Sequence, residues 1–147
     1  MPHAEGVRAR DVRRVGRLMR FVRYWLPVVL CAAGIWYASS LSSTPLDEID
    51  IPHLDKVLHA LEYGVLGWLV ALAIRRTGAR GVRQRSWLVA LVLVVAYGVT
   101  DEIHQTWVPH RDAAVSDLVA DGAGGLLGGV LCLQYLKAVA LMKAQRS

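Results

Sequence analysis

Polar side chains that can exchange protons recur at spacings of three and four inside otherwise apolar stretches of the chain. They are Asp55, His59, Glu62 and Tyr63 in one stretch, Tyr97, Asp101, His104 and Gln105 in the next, and Asp117 and Asp121 in the last. On an α-helix, these spacings bring side chains to one face. Carboxyl groups that lie close together share protons, so at least one is neutral at pH 7 and can act as an acid. The pattern predicts a polar site suited to acid–base chemistry.

A divalent cation is the one cofactor that these residues suggest. His59 and Glu62 are three residues apart, and so are Asp101 and His104. Either pair can present two metal ligands from one face of a helix, and helix bundles do build metal sites in this way.

The same residues also allow a structural interpretation. His59 would bond Asp101 or Asp117 and so fix the register of the helices. Lys56 would pair with Asp55 or with a loop acid. A single polar residue in a membrane span would favour this role. Several polar residues on three spans, all toward the same side of the membrane, favour a functional site, because ionisable groups inside a membrane are costly.

The stretches that carry these residues are long enough to cross a membrane. Hydrophobic residues make up 54% of the chain and charged residues 20%, and the mean hydropathy is +0.36, which is not the composition of a soluble domain. A membrane-spanning helix needs roughly 20 residues. The predicted spans are 24–41, 56–74, 86–107 and 115–136. We therefore expect an all-α integral membrane bundle of four transmembrane helices, with a membrane domain at 24–136 between a basic tail at 1–23 and a short tail at 137–147.

The charged residues sort to the two sides of this bundle. Fifteen of the 17 basic residues lie before the first span, between the second and third, or at and after the end of the fourth. The other side, called the outer side here, keeps Lys56, Arg111 and ten of the 12 acidic residues. Positive charge stays in the cytoplasm, so both termini are expected there. Basic residues at span ends suit lipid headgroups, and nucleic-acid binding is not expected.

The first span could also be read as a signal peptide that is cleaved after Ala38 or one of the two serines that follow it. The bulky Trp36 and Tyr37 beside that position argue against cleavage. Cleavage would also leave three spans, which conflicts with the sorting of the basic residues. We expect the span to be kept.

Three carboxyl groups lie at one predicted depth. Glu62, Asp101 and Asp121 are equally far from the outer ends of their spans. They would lie roughly 9 Å below the surface at 1.5 Å per residue. Such groups are expected to point into the bundle or into a wet cavity, because facing lipid would cost about 3 kcal/mol or more.

The fourth span is rich in glycine. Gly124 and Gly128, and likewise Gly125 and Gly129, form small-xxx-small pairs. We expect this face to pack closely against a neighbouring helix. Self-association or a partner protein on the same face is the alternative. Cys31 and Cys132 lie in apolar runs and are expected to be small apolar residues without a disulfide.

Arg111 is the only arginine on the outer side. It follows Pro109 and His110 in a short loop. Its guanidinium group can hold a phosphate or a carboxylate through paired hydrogen bonds. The alternative is a salt bridge to Asp112 or Asp117. Acidic residues also fill the other outer loop, at Asp47, Glu48 and Asp50.

Three segments together resemble the VanZ-like family of bacterial membrane proteins: SSLSSTP, PHLDKVLHALEYGVLG and AYGVTDEIHQTWVPHRDAAVSDLVADGAGGLLG. The resemblance covers roughly residues 39–129. The hallmark residues of the family match Asp55, Lys56, His59, Tyr63, Asp101, Glu102, Gln105, Pro109, Arg111, Asp117, Gly124 or Gly125, and Gly128. The chain departs from the family at His110, where glycine is usual, and at Asp121, where asparagine is frequent. The first departure is expected to alter the loop turn, and the second to alter the chemistry or the substrate.

The resemblance implies a multi-pass protein of the bacterial cytoplasmic membrane with a role in the cell envelope. The family's namesake is associated with resistance to the glycopeptide teicoplanin. We expect a site in the outer leaflet that acts on a lipid or lipid-linked envelope substrate. The expected catalytic residues are His59, Asp101, Glu102 and Asp117, with His59 and Asp101 as an acid–base pair. The expected substrate-binding residues are Lys56, Glu62, Tyr63, Gln105, Arg111 and Asp121.

Two other classes of function fit the same residues. One is a protein that binds or sequesters its target without chemistry. The other is a structural partner in a membrane complex, held through the glycine-rich fourth span. Proton-coupled transport is disfavoured, because no charged path leads from the polar residues to the inner side.

Overall fold

The computed structural model describes residues 2–42 and 51–146, with residues 2–11 described by their backbone alone. These ranges contain helices and no strand. The helices are α1 (Pro2–Ser39), α2 (Leu54–Thr77), α3 (Arg80–Gln84), α4 (Ser86–Gln105) and α5 (Val115–Ala144). All except α3 are long and apolar enough to cross a membrane, which confirms the predicted all-α four-span fold. The predicted loop acids Asp47, Glu48 and Asp50 lie outside the described residues.

The helices extend beyond several predicted boundaries. Most of the basic tail predicted at 1–23 continues α1, which is helical from Pro2. Arginine is a good helix former, so a run of positive charge need not end a helix. α5 continues to Ala144, past the predicted end at 136, because its last residues are also strong helix formers. The short helix α3 lies in the basic loop and was not predicted.

Contacts between the helices show that the four long helices run alternately up and down through the bundle. Trp25 of α1 donates a hydrogen bond from Nε1 to the hydroxyl of Thr77 at the C-terminus of α2, at 2.9 Å. Near the other end of α1, Ser39 contacts Asp101, which lies near the C-terminus of α4. The C-termini of α1 and α4 therefore meet the N-termini of α2 and α5 at one end of the bundle, which we call the site end. The opposite end, which carries Arg75 to Arg85, is the arginine end.

Glycine residues bring the backbones of α2 and α5 together. A Cβ atom added at Gly128 would overlap the carbonyl oxygen of Gly64, and one added at Gly124 would overlap that of Ala60. Such an approach requires residues without side chains. The prediction of close packing by the fourth span is therefore confirmed, and the neighbour is α2.

We call this glycine contact between α2 and α5 the glycine seam. A small apolar core lies beside it, toward the arginine end. Leu66, Val70, Val94 and Cys132 are buried in it. Cys132 and Cys31 are both free, in agreement with their prediction as small apolar side chains. α1 is the most peripheral span, because only 11% of its apolar window is buried.

Candidate functional site

The last turns of α4 carry a buried polar face on an otherwise apolar helix. Gly98, Asp101, Glu102 and Gln105 follow the three- and four-residue helical spacing, and all four are buried. Asp101 has no exposed surface, and Glu102 is 8% exposed. Of the predicted face, Asp101 and Gln105 are buried, whereas Tyr97 and His104 are half-buried.

α2 and α5 turn matching faces toward α4. His59 and Tyr63 lie one turn apart on α2, with their rings stacked at 6.3 Å between centroids and 7° between planes. Asp117 and Asp121 lie one turn apart on α5, and both are buried. Four carboxyl groups, at Asp101, Glu102, Asp117 and Asp121, are therefore buried at the site end.

His59 pairs with Asp121. Its Nδ1 atom lies 2.9 Å from Oδ1 of Asp121, whose side chain is fully buried. The structural interpretation of the sequence proposed Asp101 or Asp117 as the partner of His59, and the structure corrects that expectation. Gly98 makes room for this carboxylate, because a Cβ atom at position 98 would lie 2.9 Å from Oδ2 of Asp121.

Asp101 is held by α1 and by its own helix. Its Oδ2 atom accepts hydrogen bonds from the hydroxyl of Ser39 at 2.7 Å and from Nε2 of Gln105 at 3.3 Å. The predicted acid–base pairing of Asp101 with His59 is not a hydrogen bond in the described structure. Ser39 was not predicted as a site residue. Its signal in the sequence is the polar end of the first span, where SSL begins the first segment that resembles the family.

Lys56 binds two carboxylates. Its Nζ atom lies 2.7 Å from Oδ2 of Asp55 and forms a second ion pair with Asp117. The Lys56 side chain is 27% exposed, whereas that of Asp117 is 9% exposed. The ion pair therefore connects the accessible edge of the polar cluster to its buried interior. The predicted pairing of Lys56 with Asp55 is confirmed, and Asp117 extends it across to α5.

Glu102 connects α4 to the start of α5. Its Oε2 atom accepts a hydrogen bond from the backbone N–H of Ala114 at 2.8 Å, immediately before α5 begins. Its other oxygen, Oε1, is buried and has no hydrogen-bond partner among the described residues. His59, Glu102 and Asp121 each offer one ligand atom within 4.8 Å of the others. Three helices thereby assemble a group that can hold a cation.

Two residues of the predicted metal pairs lie elsewhere. Glu62 is exposed, although it directly precedes the buried Tyr63 on α2. His104 stacks on Trp36 of α1 at 4.1 Å between ring centroids, and its Nε2 atom lies 2.9 Å from the hydroxyl of Ser40. The pairings of His59 with Glu62 and of Asp101 with His104 are therefore replaced by the group of His59, Glu102 and Asp121.

The loop between α4 and α5 is fixed at Arg111 and His110. Nε of Arg111 donates a hydrogen bond to the carbonyl of Leu41 at 3.1 Å. Among the described residues Arg111 has no salt bridge, so the alternative pairing with Asp112 or Asp117 is not formed there. His110 has a φ angle of 64°, in the left-handed region that glycine adopts freely. The loop therefore turns at His110 through a backbone conformation that favours glycine.

Among the described residues, the buried carboxyl groups outnumber the cations that face them. Asp117 has Lys56, and Asp121 has an imidazole that is charged only when protonated. Asp101 and Glu102 are met by neutral donors, a hydroxyl, an amide and a backbone N–H. Buried charge is costly unless it is paired. A cluster of this composition can therefore take up protons or a cation.

Comparison with known proteins gives one positive finding. The sequence model of the VanZ/LLP1 family matches residues 11–138, which include all of α2 to α4 and most of α1 and α5. Searches of curated proteins and of solved structures found no match. With four helices able to span a membrane and a family match over most of its length, the chain is a multi-pass membrane protein that belongs to the VanZ/LLP1 family.

Proposed function

We propose that this protein acts in the bacterial cell envelope, where its site end binds the anionic headgroup of a lipid or lipid-linked molecule and exchanges protons with it. The observation that carries the proposal is the burial of four carboxyl groups beside His59 at one end of a membrane bundle. An ionisable group inside a membrane costs about 3 kcal/mol or more. Fixing the helix register would not need so many, because α2 and α5 already interlock through glycine.

The acid–base group of the proposal is the pair of His59 and Asp121. A carboxylate that holds one ring nitrogen fixes the orientation and the tautomer of an imidazole, and it leaves the other nitrogen for a substrate. Asp121 holds Nδ1, and the His59 side chain is 15% exposed, so Nε2 is the atom we assign to proton transfer. Asp121 replaces the asparagine frequent in the family, and it thereby supplies the negative partner that the imidazole needs.

Arg111 is the residue we assign to the anionic headgroup. Lys56 already binds two carboxylates, so much of its charge is neutralised. Arg111 uses Nε for a backbone carbonyl and forms no ion pair with a described residue. Its terminal nitrogens can then donate to a phosphate or a carboxylate. Lys56, Glu62, Tyr63 and Gln105 complete the proposed binding surface, and Asp101, Glu102 and Asp117 provide the buried carboxyl groups.

We place the protein in the cytoplasmic membrane of a bacterium, with both termini in the cytoplasm. The support is the sorting of charge, because arginine-rich ends stay on the cytoplasmic side. The site end then faces the extracytoplasmic leaflet, where lipid-linked envelope molecules are exposed. The association of the family's namesake with teicoplanin makes glycopeptide susceptibility the first phenotype to measure.

The test compares His59→Gln and Arg111→Gln with the native protein in a bacterial host that depends on it for glycopeptide tolerance. Loss of a general base lowers a rate by about 10²- to 10⁴-fold, so His59→Gln is expected to abolish the phenotype. Asp112→Asn is the matched control, because Asp112 is an exposed carboxylate in the loop that carries Arg111. Membrane insertion is checked with a fluorescent C-terminal fusion. Full tolerance in well-inserted His59→Gln would remove the proposal.

A binding protein without chemistry is the second candidate function. It is favoured by Asp101, whose carboxylate is engaged by donors of the protein itself. In that case Asp101→Asn and His59→Gln keep the phenotype while Arg111→Gln loses it. A function in acid–base chemistry predicts loss with His59→Gln.

A bound divalent cation is the second chemical use of the same site. The support is the group of His59, Glu102 and Asp121, which combines one imidazole with two buried carboxylates. Zinc and manganese accept such mixed nitrogen and oxygen ligands. The metal content of the purified full chain, measured by mass spectrometry, decides between the two uses. One zinc or manganese per chain that is lost in Glu102→Gln supports the cation, whereas a metal-free native protein contradicts it.

A further inference from the structure

The arginine end carries two clefts that the proposed function does not use. One has a volume of about 450 Å³ and is lined by Arg75, Arg76, Arg80, Arg83 and Lys143, with Leu136 and Val139 among its apolar residues. It lies where the end of α2 and the helix α3 meet the C-terminal half of α5. A cleft with cations on one side and apolar side chains on the other matches an amphiphile rather than a soluble ion.

The second cleft lies on the α1 side of the same arginines. Its volume is about 550 Å³, and Arg20 and Arg23 line it together with Arg75, Arg76 and Arg83. Three arginines are therefore shared by two adjoining clefts. Arg75 is held in place, because its Nη1 atom donates a hydrogen bond to the carbonyl of Arg83 at 2.9 Å.

No carboxylate with a described side chain faces these cations. All described acidic side chains and all three ion pairs among described residues belong to the site end or its loops. Like charges repel by about 1 kcal/mol at 4 Å even in water, and by more beside an apolar bundle. An anion bound among them would relieve this repulsion. Phosphate is the anion that arginine binds in bidentate fashion, and a membrane surface presents it at this height.

We infer that the two clefts form one binding site for an anionic membrane lipid that carries two phosphates, one for each cleft and both contacting the shared arginines. The acyl chains would lie against the apolar wall of α5. The site belongs to the end of the molecule opposite the polar cluster, so it does not depend on the proposed function. It would anchor the C-terminal ends of α2 and α5 at the arginine end, beyond the glycine seam that lies nearer the site end.

The test uses the full chain, delipidated and returned to nanodiscs of phosphatidylcholine with and without cardiolipin, the probe with two phosphates. We expect cardiolipin to be retained in native mass spectra and to raise the thermal unfolding midpoint. Each charge removed from the clefts should weaken retention about fivefold, since a basic residue at a membrane surface contributes about 1 kcal/mol. The variants are Arg80→Gln and Lys143→Gln, whose side chains are exposed.

Arg85→Gln is the matched control, because it removes the same charge from the same loop but lines neither described cleft. A site predicts that Arg85→Gln retains cardiolipin nearly as well as the native chain. Equal losses in Arg85→Gln and Arg80→Gln would mean diffuse attraction and would overturn the inference. Binding of free pyrophosphate without retention of cardiolipin would overturn it as well.

Discussion

At the scale of single residues, Ser39 shows how one hydroxyl can join a peripheral helix to a buried site. Its Oγ atom lies 2.7 Å from Asp101 and 2.9 Å from the carbonyl of Ile35 in its own helix. A hydroxyl has one proton to donate, and the carboxylate of Asp101 is the acceptor with no exposed surface. Few other side chains of α1 are buried, so this contact helps to hold the helix against the bundle.

Replacing Ser39 tests that role. Ser39→Ala leaves Oδ2 of Asp101 with only the longer bond from Gln105, and we expect the protein to lose about 1–3 kcal/mol of stability. The measurement is reversible unfolding in detergent micelles. Ser40→Ala serves as the control, because Ser40 is exposed. An equal effect from both substitutions would argue against a special role for the buried hydroxyl.

His110 carries backbone strain that glycine would relieve. A non-glycine residue in the left-handed region costs about 1–2 kcal/mol of folding free energy. Glycine removes this cost, but its unfolded chain is more flexible, and ordering it offsets part of the gain in stability. His110→Gly is therefore expected to stabilise the protein by about 0.5–1 kcal/mol. The same substitution at Asp112, whose φ angle is not positive, should destabilise it. A lower unfolding midpoint for His110→Gly would show that the imidazole makes contacts that outweigh the strain.

At the scale of the elements, the seam between α2 and α5 decides which polar residues can meet. Gly124 packs on Ala60, and Gly128 packs on Gly64, so the two backbones are in contact just below the site. His59 lies one position before Ala60, and Asp121 lies one turn before Gly124 and Gly125. The close approach of these helices therefore brings the imidazole to the carboxylate of Asp121.

Gly128→Ala should separate the two helices. The new methyl group would overlap a backbone carbonyl that cannot rotate away, and overpacking of this kind costs about 1–3 kcal/mol. Gly34→Ala is the matched control, because a Cβ atom at that position of α1 meets nothing within 4 Å. We expect the control to be neutral or slightly stabilising, since alanine favours helix. Unfolding midpoints in micelles measure both, and similar values would contradict the seam.

At the scale of the whole molecule, the two ends differ in the sign of their ionisable side chains and in how deeply those side chains are buried. The site end holds buried carboxyl groups, whereas the arginine end holds exposed cations. Buried carboxyl groups require partners or a ligand, and exposed cations require only water or lipid phosphate. The two proposals together assign a chemical site to one leaflet and an anchoring site to the other.

The orientation of the bundle can be tested with single cysteines. Cys31→Ala and Cys132→Ala first remove the two free thiols. Asp112→Cys, in the loop at the site end, should then react with a membrane-impermeant maleimide in intact cells. Arg80→Cys should react only after the membrane is permeabilised, because the arginine end is expected in the cytoplasm. The reverse labelling pattern would invert the topology and move the site to the inner leaflet.

The sequence by itself determined the four spans, the family and most residues of the polar faces of α2, α4 and α5. Hydropathy and charge are properties of local segments, and the spacing of three and four fixes a shared face within one helix. The same spacing identified the glycine seam, although it could not name α2 as its partner.

Only the tertiary structure decided which side chains meet across helices. The sequence predicted Asp101 or Asp117 as the partner of His59, whereas the rotation of α2 against α5 selects Asp121. The same rotation leaves Glu62 exposed, and the packing of α1 brings Ser39 to the site. The rotation and separation of two helices depend on how the glycine positions of one fit the larger side chains and backbone of the other. That fit involves residues far apart in the chain.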